Sequence, residues 1–306
     1  MINYFNRRDF LHTSALAALA VATPSFGSKK YKPLLSFSTL GCPDWGFETI
    51  LNFAVEHGYD GIEIRGIQRQ LDLSKCNEFN SKENILATLL KVKEKKLKIV
   101  DLGCSAAMHY ADAVERQKNL EEAKIFIQLA QQLNCPYIRV FPNSFPKEQE
   151  RSETINLISK GLLELADYAK GTGVIVLMET HGDVVHSTDL EKIMQLVGHP
   201  KVGLVWDIVN MWSATKEPPA QVYAKLNKYI HHTHIKDLKF VDGKEQYALV
   251  GKGDTPILEA VDILAKNRYR GYFSFEWEKL WHPEIEEPEV AFADYTKVMK
   301  QHFKNK

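Results

Sequence analysis

Short apolar runs alternate with amphipathic segments through most of the chain. The amphipathic segments carry apolar residues at i, i+3, i+4 and i+7, the spacing of a helix that packs along one face. The clearest is Glu115–Leu133, in which Leu120, Ala123, Ile127 and Ala130 form one stripe. The apolar runs predict the following strands: Leu35–Leu40, Gly61–Arg65, Lys98–Gly103, Tyr137–Phe141, Val174–Glu179, Val202–Asp207, Tyr229–Ile235 and Tyr272–Glu276.

This alternation predicts the fold class α/β and a single (β/α)8 TIM barrel. Strands that alternate with helices, with no hairpin signal between them, run parallel and are joined by right-handed crossovers. The competing arrangement is an open doubly wound sheet, which is disfavoured because no GxGxxG follows the first strand. We expect residues 29–306 to form one domain, with a long loop over Asp237–Asp254 and a second loop over Trp281–Pro288 that leads into the last helix.

The first 28 residues have the pattern of an export signal. Arg7 and Arg8 precede Phe10-Leu11, and a short apolar stretch, Ser14–Ala22, follows. This order resembles the twin-arginine (Tat) signal of bacteria, which delivers folded proteins across the membrane. The apolar stretch is shorter than the about 20 residues that span a bilayer. We therefore expect a periplasmic protein that uses the Tat export machinery and is not stably inserted in the membrane.

Composition excludes several classes of protein. Hydrophobic residues make up 44% of the 306 residues and charged residues 25%, which supplies a core and excludes a disordered chain. Lys plus Arg and Asp plus Glu are both 39, so the basic excess typical of a nucleic-acid binder is absent. The four cysteines form no CxxC pair, which excludes a zinc knuckle and a thioredoxin-like motif.

Four consecutive predicted strands deliver groups that can bind a metal. Strands 5, 6 and 8 end at Glu179, Asp207 and Glu276 after apolar runs, and strand 7 carries His231-His-Thr-His234. The carboxyl ends of barrel strands meet at one mouth, where the active site forms. Three carboxylates gathered there repel one another unless a cation compensates them, and this ligand set suits one divalent ion, Mn²⁺, Mg²⁺, Co²⁺ or Zn²⁺. The alternative, a helix cap or rim salt bridge at each position, would have to hold at all four strand ends.

Strand alternation separates the histidines. Because successive side chains point to opposite faces, His232 and His234 share one face and His231 lies on the other. We predict His234 as the metal ligand because it lies nearest the carboxyl end of the strand, and His232 as a packing or supporting residue. His181, just past strand 5, is predicted to meet substrate or to stabilise a loop, and His109 is an equally open candidate for the pocket.

Several motifs together resemble the xylose-isomerase-like barrel family, in its sugar phosphate isomerase/epimerase branch. They are Leu177–His181, Trp206-Asp207, His232–Asp237, Gly251–Asp254 and Phe275–Glu278, and Gly58–Arg65 is typical of the family's second strand. The resemblance covers about residues 34–300. The branch includes ketose 3-epimerases, inosose dehydratases and, more remotely, endonuclease IV-type repair enzymes.

The resemblance implies a metal site and a catalytic pair. By position, Glu179, Asp207, His234 and Glu276 bind one divalent metal, and the two glutamates also act as acid and base on opposite faces of the substrate. One departure is Asn210, which stands where the family often has the histidine of Asp-x-x-His. Asparagine is a poor metal ligand but can hydrogen-bond a hydroxyl group, and its presence disfavours the multi-zinc cluster of the repair enzymes.

The implied reaction is metal-assisted proton transfer next to a carbonyl, through an enediolate, which makes the protein a sugar isomerase or epimerase. The runner-up is a lyase or dehydratase that acts by β-elimination on a keto-sugar, a keto-inositol or a 3-keto-glycoside. A hydrolytic enzyme and a non-catalytic sugar-binding barrel are further alternatives, and the two glutamates disfavour the second. Barrels of this family often form dimers, so a homodimer is an expectation from the resemblance alone. The candidate substrate contacts are Arg65, His109, His181, Asn210, Lys236 and Lys252.

Overall fold

Eight parallel strands form a closed barrel in the computed structural model of the protein, which describes residues 31–304. The strands are β1 (Leu34–Ser38), β2 (Gly61–Ile64), β3 (Ile99–Ala107), β4 (Tyr137–Phe141), β5 (Ile175–Glu179), β6 (Val202–Asp207), β7 (Ile230–Ile235) and β10 (Tyr272–Phe275). Because β1 pairs with both β2 and β10, the ring has no open edge. The predicted (β/α)8 barrel is confirmed, although β3 runs four residues beyond its predicted end at Gly103.

Amphipathic helices surround the barrel. Within residues 31–304 they are α1 (Phe47–His57), α2 (Lys82–Glu94), α3 (Ala113–Gln132), α4 (Arg151–Tyr168), α5 (Ser187–Val197), α6 (Ile208–Thr215), α7 (Pro219–Leu226), α8 (Ile257–Lys266) and α9 (Pro288–Lys304). The Ser81 hydroxyl accepts a hydrogen bond from the Asn84 N–H and so caps α2. Gly58 caps the carboxyl end of α1 with a φ of +70°, which a residue without a Cβ adopts freely.

The connection after β7 differs from the prediction of a long loop over Asp237–Asp254. It contains an antiparallel hairpin of β8 (Asp237–Val241) and β9 (Lys244–Ala248). The turn residues Asp242 and Gly243 both have positive φ, as the tight turn of a hairpin requires. The second predicted loop is confirmed, because α9 begins at Pro288.

Asp237 holds the return from the hairpin to the barrel. Its carboxylate accepts hydrogen bonds from the backbone N–H groups of Gly251 and Gly253 and from the hydroxyl of Thr255. A Cβ at Gly253 would lie 2.1 Å from the Asp237 carboxylate, so this position needs glycine. Part of the Gly251–Asp254 motif therefore shapes a loop.

The two faces of the barrel strands differ in polarity. Phe37 of β1 and Phe275 of β10 face outward and lie against Phe292 of α9, with ring centroids 4.4 and 5.8 Å apart. Glu63 and Asp101, which are partners in the β2–β3 register, are fully buried. Glu63 is paired inside the barrel, whereas neither oxygen of Asp101 has a hydrogen-bond partner among the described residues. Burial and the neighbouring Glu63 raise the pKa of Asp101 to about 8, which favours its neutral form.

The predicted export signal, residues 1–28, lies outside the described residues. Among the helices described, none combines the length and the apolar character needed to cross a bilayer.

Candidate metal centre

Four neighbouring strands bring four ionisable side chains to one point. Glu179 and Asp207 are the last residues of β5 and β6, and Glu276 directly follows β10. His234 of β7 lies opposite Asp207 in the β6–β7 register. The side chains of all four are 5% exposed or less. The sequence prediction that these strand ends converge therefore describes the observed arrangement.

The imidazole of His234 stands at the centre of this group. Its Nδ1 lies 3.2 Å from Oε1 of Glu276, 3.6 Å from Oε1 of Glu179 and 4.0 Å from Oδ2 of Asp207. None of these contacts is a well-formed hydrogen bond, so this buried Nδ1 has no hydrogen-bond partner among the described residues. One ligand atom from each of the four side chains lies within 4.8 Å of all the others.

The remaining oxygens of the two glutamates face fixed cations. Oε2 of Glu179 lies 3.0 Å from Nε of Arg139, which projects from β4. Oε2 of Glu276 accepts a hydrogen bond from Nζ of Lys236 at 3.0 Å. Each glutamate thus presents one oxygen to His234 while a buried cation restrains the other.

Lys236 joins three carboxylates on the outer side of the group. Its Nζ lies 2.7 Å from Oδ2 of Asp207 and 2.6 Å from Oε1 of Glu278, in addition to Glu276. The other oxygen of Asp207, Oδ1, accepts from the N–H of Asn210 and caps α6. Helix capping therefore accounts for Oδ1 of Asp207 only. The other oxygen, Oδ2, faces the centre.

Burial and neighbouring charges shift the pKa values of these groups in opposite directions. Burial raises the pKa of Asp207 to about 7. Burial and Glu276 also raise the pKa of Glu179, but Arg139 and His234 outweigh them and the net pKa is below its usual value. Burial raises the pKa of Glu276 as well, but His234 and Lys236 together outweigh it, and the net pKa is below its usual value. Burial lowers the pKa of His234, yet the surrounding carboxylates raise it well above its usual value.

A second set of polar contacts lies on the opposite side of His234. Its Nε2 is 3.1 Å from Oε2 of Glu63, and the same oxygen is 3.0 Å from Nε2 of His232. The hydroxyl of Ser274 donates to this oxygen at 3.1 Å. His232 is fully buried and contacts the same carboxylate as His234, in agreement with the shared face that strand alternation predicted.

The donors around His234 fit a divalent cation. The buried Nδ1 is free of hydrogen bonds among the described residues, and one oxygen from each of three carboxylates is turned toward it. Carboxylate oxygens with one imidazole nitrogen are the ligands that Mn²⁺, Mg²⁺, Co²⁺ and Zn²⁺ accept. Arg139 and Lys236 supply part of the positive charge that the sequence argument assigned to a metal alone.

A cavity of about 840 Å³ reaches from the surface to Lys236, the cation that contacts Asp207 and Glu276. Its inner wall includes Lys236, Asn210 and His181, and its outer wall is formed by the β8–β9 hairpin and the loop before α9. The acidic side chains that line the outer part are Glu245, Glu284 and Glu286.

Only some of the predicted substrate contacts line this cavity. His181 lies in the cavity wall with its Nδ1 3.1 Å from Oδ1 of Asn143. Arg65 is buried and donates to the Ser105 hydroxyl at 2.8 Å. Arg65, His109 and Lys252 are not among the described residues that line this cavity. The ring of His109 packs against Tyr110, and Lys252 is paired with Asp294 on α9.

Two residues of the centre, Arg139 and Glu63, escaped the sequence prediction of site residues. Arg139 lies in the middle of the strand Tyr-Ile-Arg-Val-Phe, and Glu63 in Gly-Ile-Glu-Ile. A charged side chain inside an otherwise apolar buried strand is the signal that could have found both, because such a charge needs a partner in the barrel interior.

The chain is similar to a known family of barrels and to enzymes of that fold. A family model described as "Xylose isomerase-like TIM barrel" matches residues 51–301. The 3-dehydroshikimate dehydratase of Bacillus anthracis is 26% identical over 251 residues, which cover 76% of this chain and 85% of that protein. The inosose isomerase of Halalkalibacterium halodurans is 25% identical over 267 residues, which cover 83% and 91%.

A solved structure shares the fold. It is that of a xylose isomerase-like TIM barrel protein from Mycobacterium smegmatis in complex with magnesium. The TM-score is 0.66 at 18% identity, and the match covers 89% of this chain and 97% of that one. The curated relatives are thus enzymes that include an isomerase and a dehydratase, and one structural neighbour binds a divalent metal.

Proposed function

The chain belongs to the xylose isomerase-like TIM barrel family, and we propose that it is a divalent-metal-dependent sugar isomerase or epimerase. The observation that carries this proposal is the arrangement around His234, in which a buried nitrogen without a hydrogen-bond partner among the described residues faces one oxygen from each of three carboxylates. Two of those carboxylates, Glu179 and Glu276, are also positioned to exchange protons with a substrate.

The metal would be held by Glu179, Asp207, His234 and Glu276. A divalent cation in that position supplies a Lewis acid that polarises a substrate carbonyl and makes the neighbouring C–H group more acidic. The ion is Mn²⁺, Mg²⁺, Co²⁺ or Zn²⁺, since all four accept this ligand set.

The two glutamates approach a substrate from different sides. Glu179 on β5 and Glu276 after β10 are separated around the ring by β6 and β7, so a sugar in the mouth lies between them. One carboxylate removes the carbon-bound proton. The other, protonated from solvent, returns a proton to the opposite face in epimerisation or to the neighbouring carbon in isomerisation.

The buried cations prepare the glutamates for this role. Arg139 contributes to the lowered pKa of Glu179, so this carboxyl is ionised and ready to act as a base. Lys236 holds Oε2 of Glu276 and leaves Oε1 toward the centre. Fixed orientation of the accepting oxygen removes the entropy that a freely rotating carboxylate would lose in the transition state.

The cavity favours a neutral carbohydrate. Three glutamates, Glu245, Glu284 and Glu286, line its outer part, and the lysine in its wall, Lys236, is already shared by three carboxylates. A phosphorylated or otherwise anionic sugar would meet like charge on entry. His181 and Asn210 in the wall are suited to hydrogen-bond sugar hydroxyl groups.

A β-eliminating lyase or dehydratase is the second candidate function. Elimination begins with the same proton abstraction next to a carbonyl, so the same glutamates would serve. The relative from Bacillus anthracis carries the name of a dehydratase and matches 76% of this chain, which favours keeping this candidate.

Product NMR in D₂O separates the two candidates. The metal-loaded protein is incubated with ketoses, keto-inositols and 3-keto-glycosides of neutral charge. Solvent deuterium in an intact sugar supports the isomerase or epimerase, and loss of water or of the aglycone supports the lyase. Binding without exchange or cleavage across the panel would contradict both proposals and leave a sugar-binding barrel.

The metal itself has a direct test. Metal analysis of purified wild-type protein is expected to give about one divalent ion per chain, and His234→Ala is expected to lose most of it, because a methyl group leaves the ligand shell incomplete. Full retention of metal in His234→Ala would contradict the ligand assignment.

Export to the periplasm is a separate proposal that rests on residues 1–28. The paired arginines Arg7 and Arg8 and the apolar stretch after them support it.

A further inference from the structure

We propose that Glu63 is a positioning residue that fixes which ring nitrogen of His234 faces the metal, an inference that rests on the metal centre proposed above. Glu63 projects from β2, on the far side of His234 from the three carboxylates. It is fully buried, and its contacts are to His232, His234 and Ser274, so it acts through His234.

One oxygen of Glu63 accepts hydrogen bonds from three side chains. Oε2 lies 3.0 Å from Nε2 of His232, 3.1 Å from Nε2 of His234 and 3.1 Å from Oγ of Ser274. An ionised carboxylate only accepts hydrogen bonds, so each imidazole must carry its hydrogen on Nε2 to satisfy this oxygen.

This hydrogen placement decides what His234 offers to the centre. A neutral imidazole has one N–H and one bare nitrogen, and a hydrogen bond on Nε2 leaves Nδ1 bare. Nδ1 is the atom that lies within 4.0 Å of oxygens from Glu179, Asp207 and Glu276 and lacks a hydrogen-bond partner among the described residues. Glu63 therefore selects the form of His234 that can bind a metal, and its negative charge raises the basicity of Nδ1.

A different reading makes Glu63 a ligand. Glu63, His232 and His234 also offer three ligand atoms within 4.8 Å of one another, which would place a second metal in the barrel interior. Such a site would require His234 to give up its Nε2 hydrogen and bridge two ions through both nitrogens. Both Nε2 atoms lie at ordinary hydrogen-bond distances from the same oxygen, which favours the positioning role.

Zinc titration of Glu63→Gln tests the proposal with a readout that does not depend on activity. Glutamine keeps the size of the side chain but removes the charge and can present an N–H group to the imidazoles. The affinity for Zn²⁺, measured by competition with a chelator, is expected to fall by about 10- to 100-fold, the usual effect of losing a carboxylate behind a metal-bound histidine. Ser274→Ala is the matched control, since it removes the third donor and leaves both imidazole contacts, and its affinity should stay within about threefold of wild type.

Nitrogen-15 NMR of histidine-labelled, zinc-loaded protein provides the second measurement. The wild-type spectrum should show His234 with a metal-bound Nδ1 and a slowly exchanging Nε2 proton, assigned by its absence in His234→Ala. In Glu63→Gln that proton should exchange quickly or disappear. If Glu63→Gln has the melting temperature of wild type, a general loss of packing does not explain a change in this signal. If Glu63→Gln unfolds before titration, Glu63→Asp carries the same test, because it keeps the charge but withdraws the oxygen from His234.

Each outcome decides between the readings. Glu63→Gln with wild-type zinc affinity and an unchanged His234 signal would overturn the positioning role and leave the metal centre intact. Two zinc ions per wild-type chain, with His232 metal-bound, would overturn it in favour of the second site. Wild-type protein that binds no zinc, manganese, cobalt or magnesium would overturn the metal centre itself.

Discussion

Replacement of Lys236 by methionine tests the charge balance at the heart of the structure. Nζ of Lys236 contacts Asp207, Glu276 and Glu278 at 2.7, 3.0 and 2.6 Å, and its side chain is 3% exposed. Removal of one partner from a buried ion pair costs about 3–5 kcal/mol, because the remaining charge is left uncompensated. For a domain of this size that cost lowers the melting temperature by roughly 6–20 °C.

The assay is thermal unfolding of Lys236→Met in the metal-free and metal-loaded states. Added divalent metal should recover part of the lost stability, because binding to the folded state supplies positive charge to the same carboxylates. Lys252→Met is the control, since Lys252 is 58% exposed and lies 3.7 Å from Asp294, and its free energy of unfolding should change by no more than about 0.5 kcal/mol.

The stability that Lys236→Met loses relative to wild type should depend on pH. In the wild type the lowered pKa of Glu276 contributes stability that is present above its unfolded value of 4.5 and is lost as pH falls below it. Without Lys236 the carboxyl groups take up protons at higher pH, which relieves their repulsion. The deficit of Lys236→Met relative to wild type should therefore shrink as pH falls from about 7 toward 5. A metal-free variant that melts within about 2 °C of wild type at every pH would refute the reasoning.

Three further predictions concern chemistry, metal binding and export. Glu179→Gln and Glu276→Gln should each lower turnover at least about 100-fold, since a positioned acid or base contributes 10²–10⁴-fold; steady-state rates and deuterium wash-in measure this, and near-normal activity in both with metal bound would restrict them to ligation. Metal affinity should rise as pH increases, because the pKa of His234 is raised well above its usual value and its proton must leave before a metal binds; chelator titrations that show the same affinity at every pH would contradict it. Joint Arg7→Lys and Arg8→Lys substitution should leave folded protein in the cytoplasm, and normal delivery on cell fractionation would argue against the twin-arginine route.

The barrel fold and the convergence of four side chains at its mouth could be predicted from the local pattern of apolar and polar residues. Apolar runs and helical stripes predict β–α alternation, because burial imposes periods of 2 and 3.6 on any strand or helix. In a parallel barrel the strand ends meet at one mouth, so Glu179, Asp207 and Glu276 could be placed together from the sequence alone. The choice of His234 over His231 followed from the same alternation.

Tertiary structure decided what lies behind those groups. Arg139 and Glu63 stand in mid-strand, and their partners are far away in the chain: the Glu63–His234 contact joins residues 171 apart. Register and barrel closure set such contacts, and neither can be read from one strand alone.

The outer wall of the site was also beyond the sequence. The prediction of a loop over Asp237–Asp254 did not use the local turn signal at Asp242-Gly243, and the position of the hairpin against the cavity depends on how it returns to the barrel through Asp237. Local periodicity determines which residues face inward. The long-range packing of the closed barrel determines which of them meet, because distance in space is set by the register of eight strands and not by spacing in the chain.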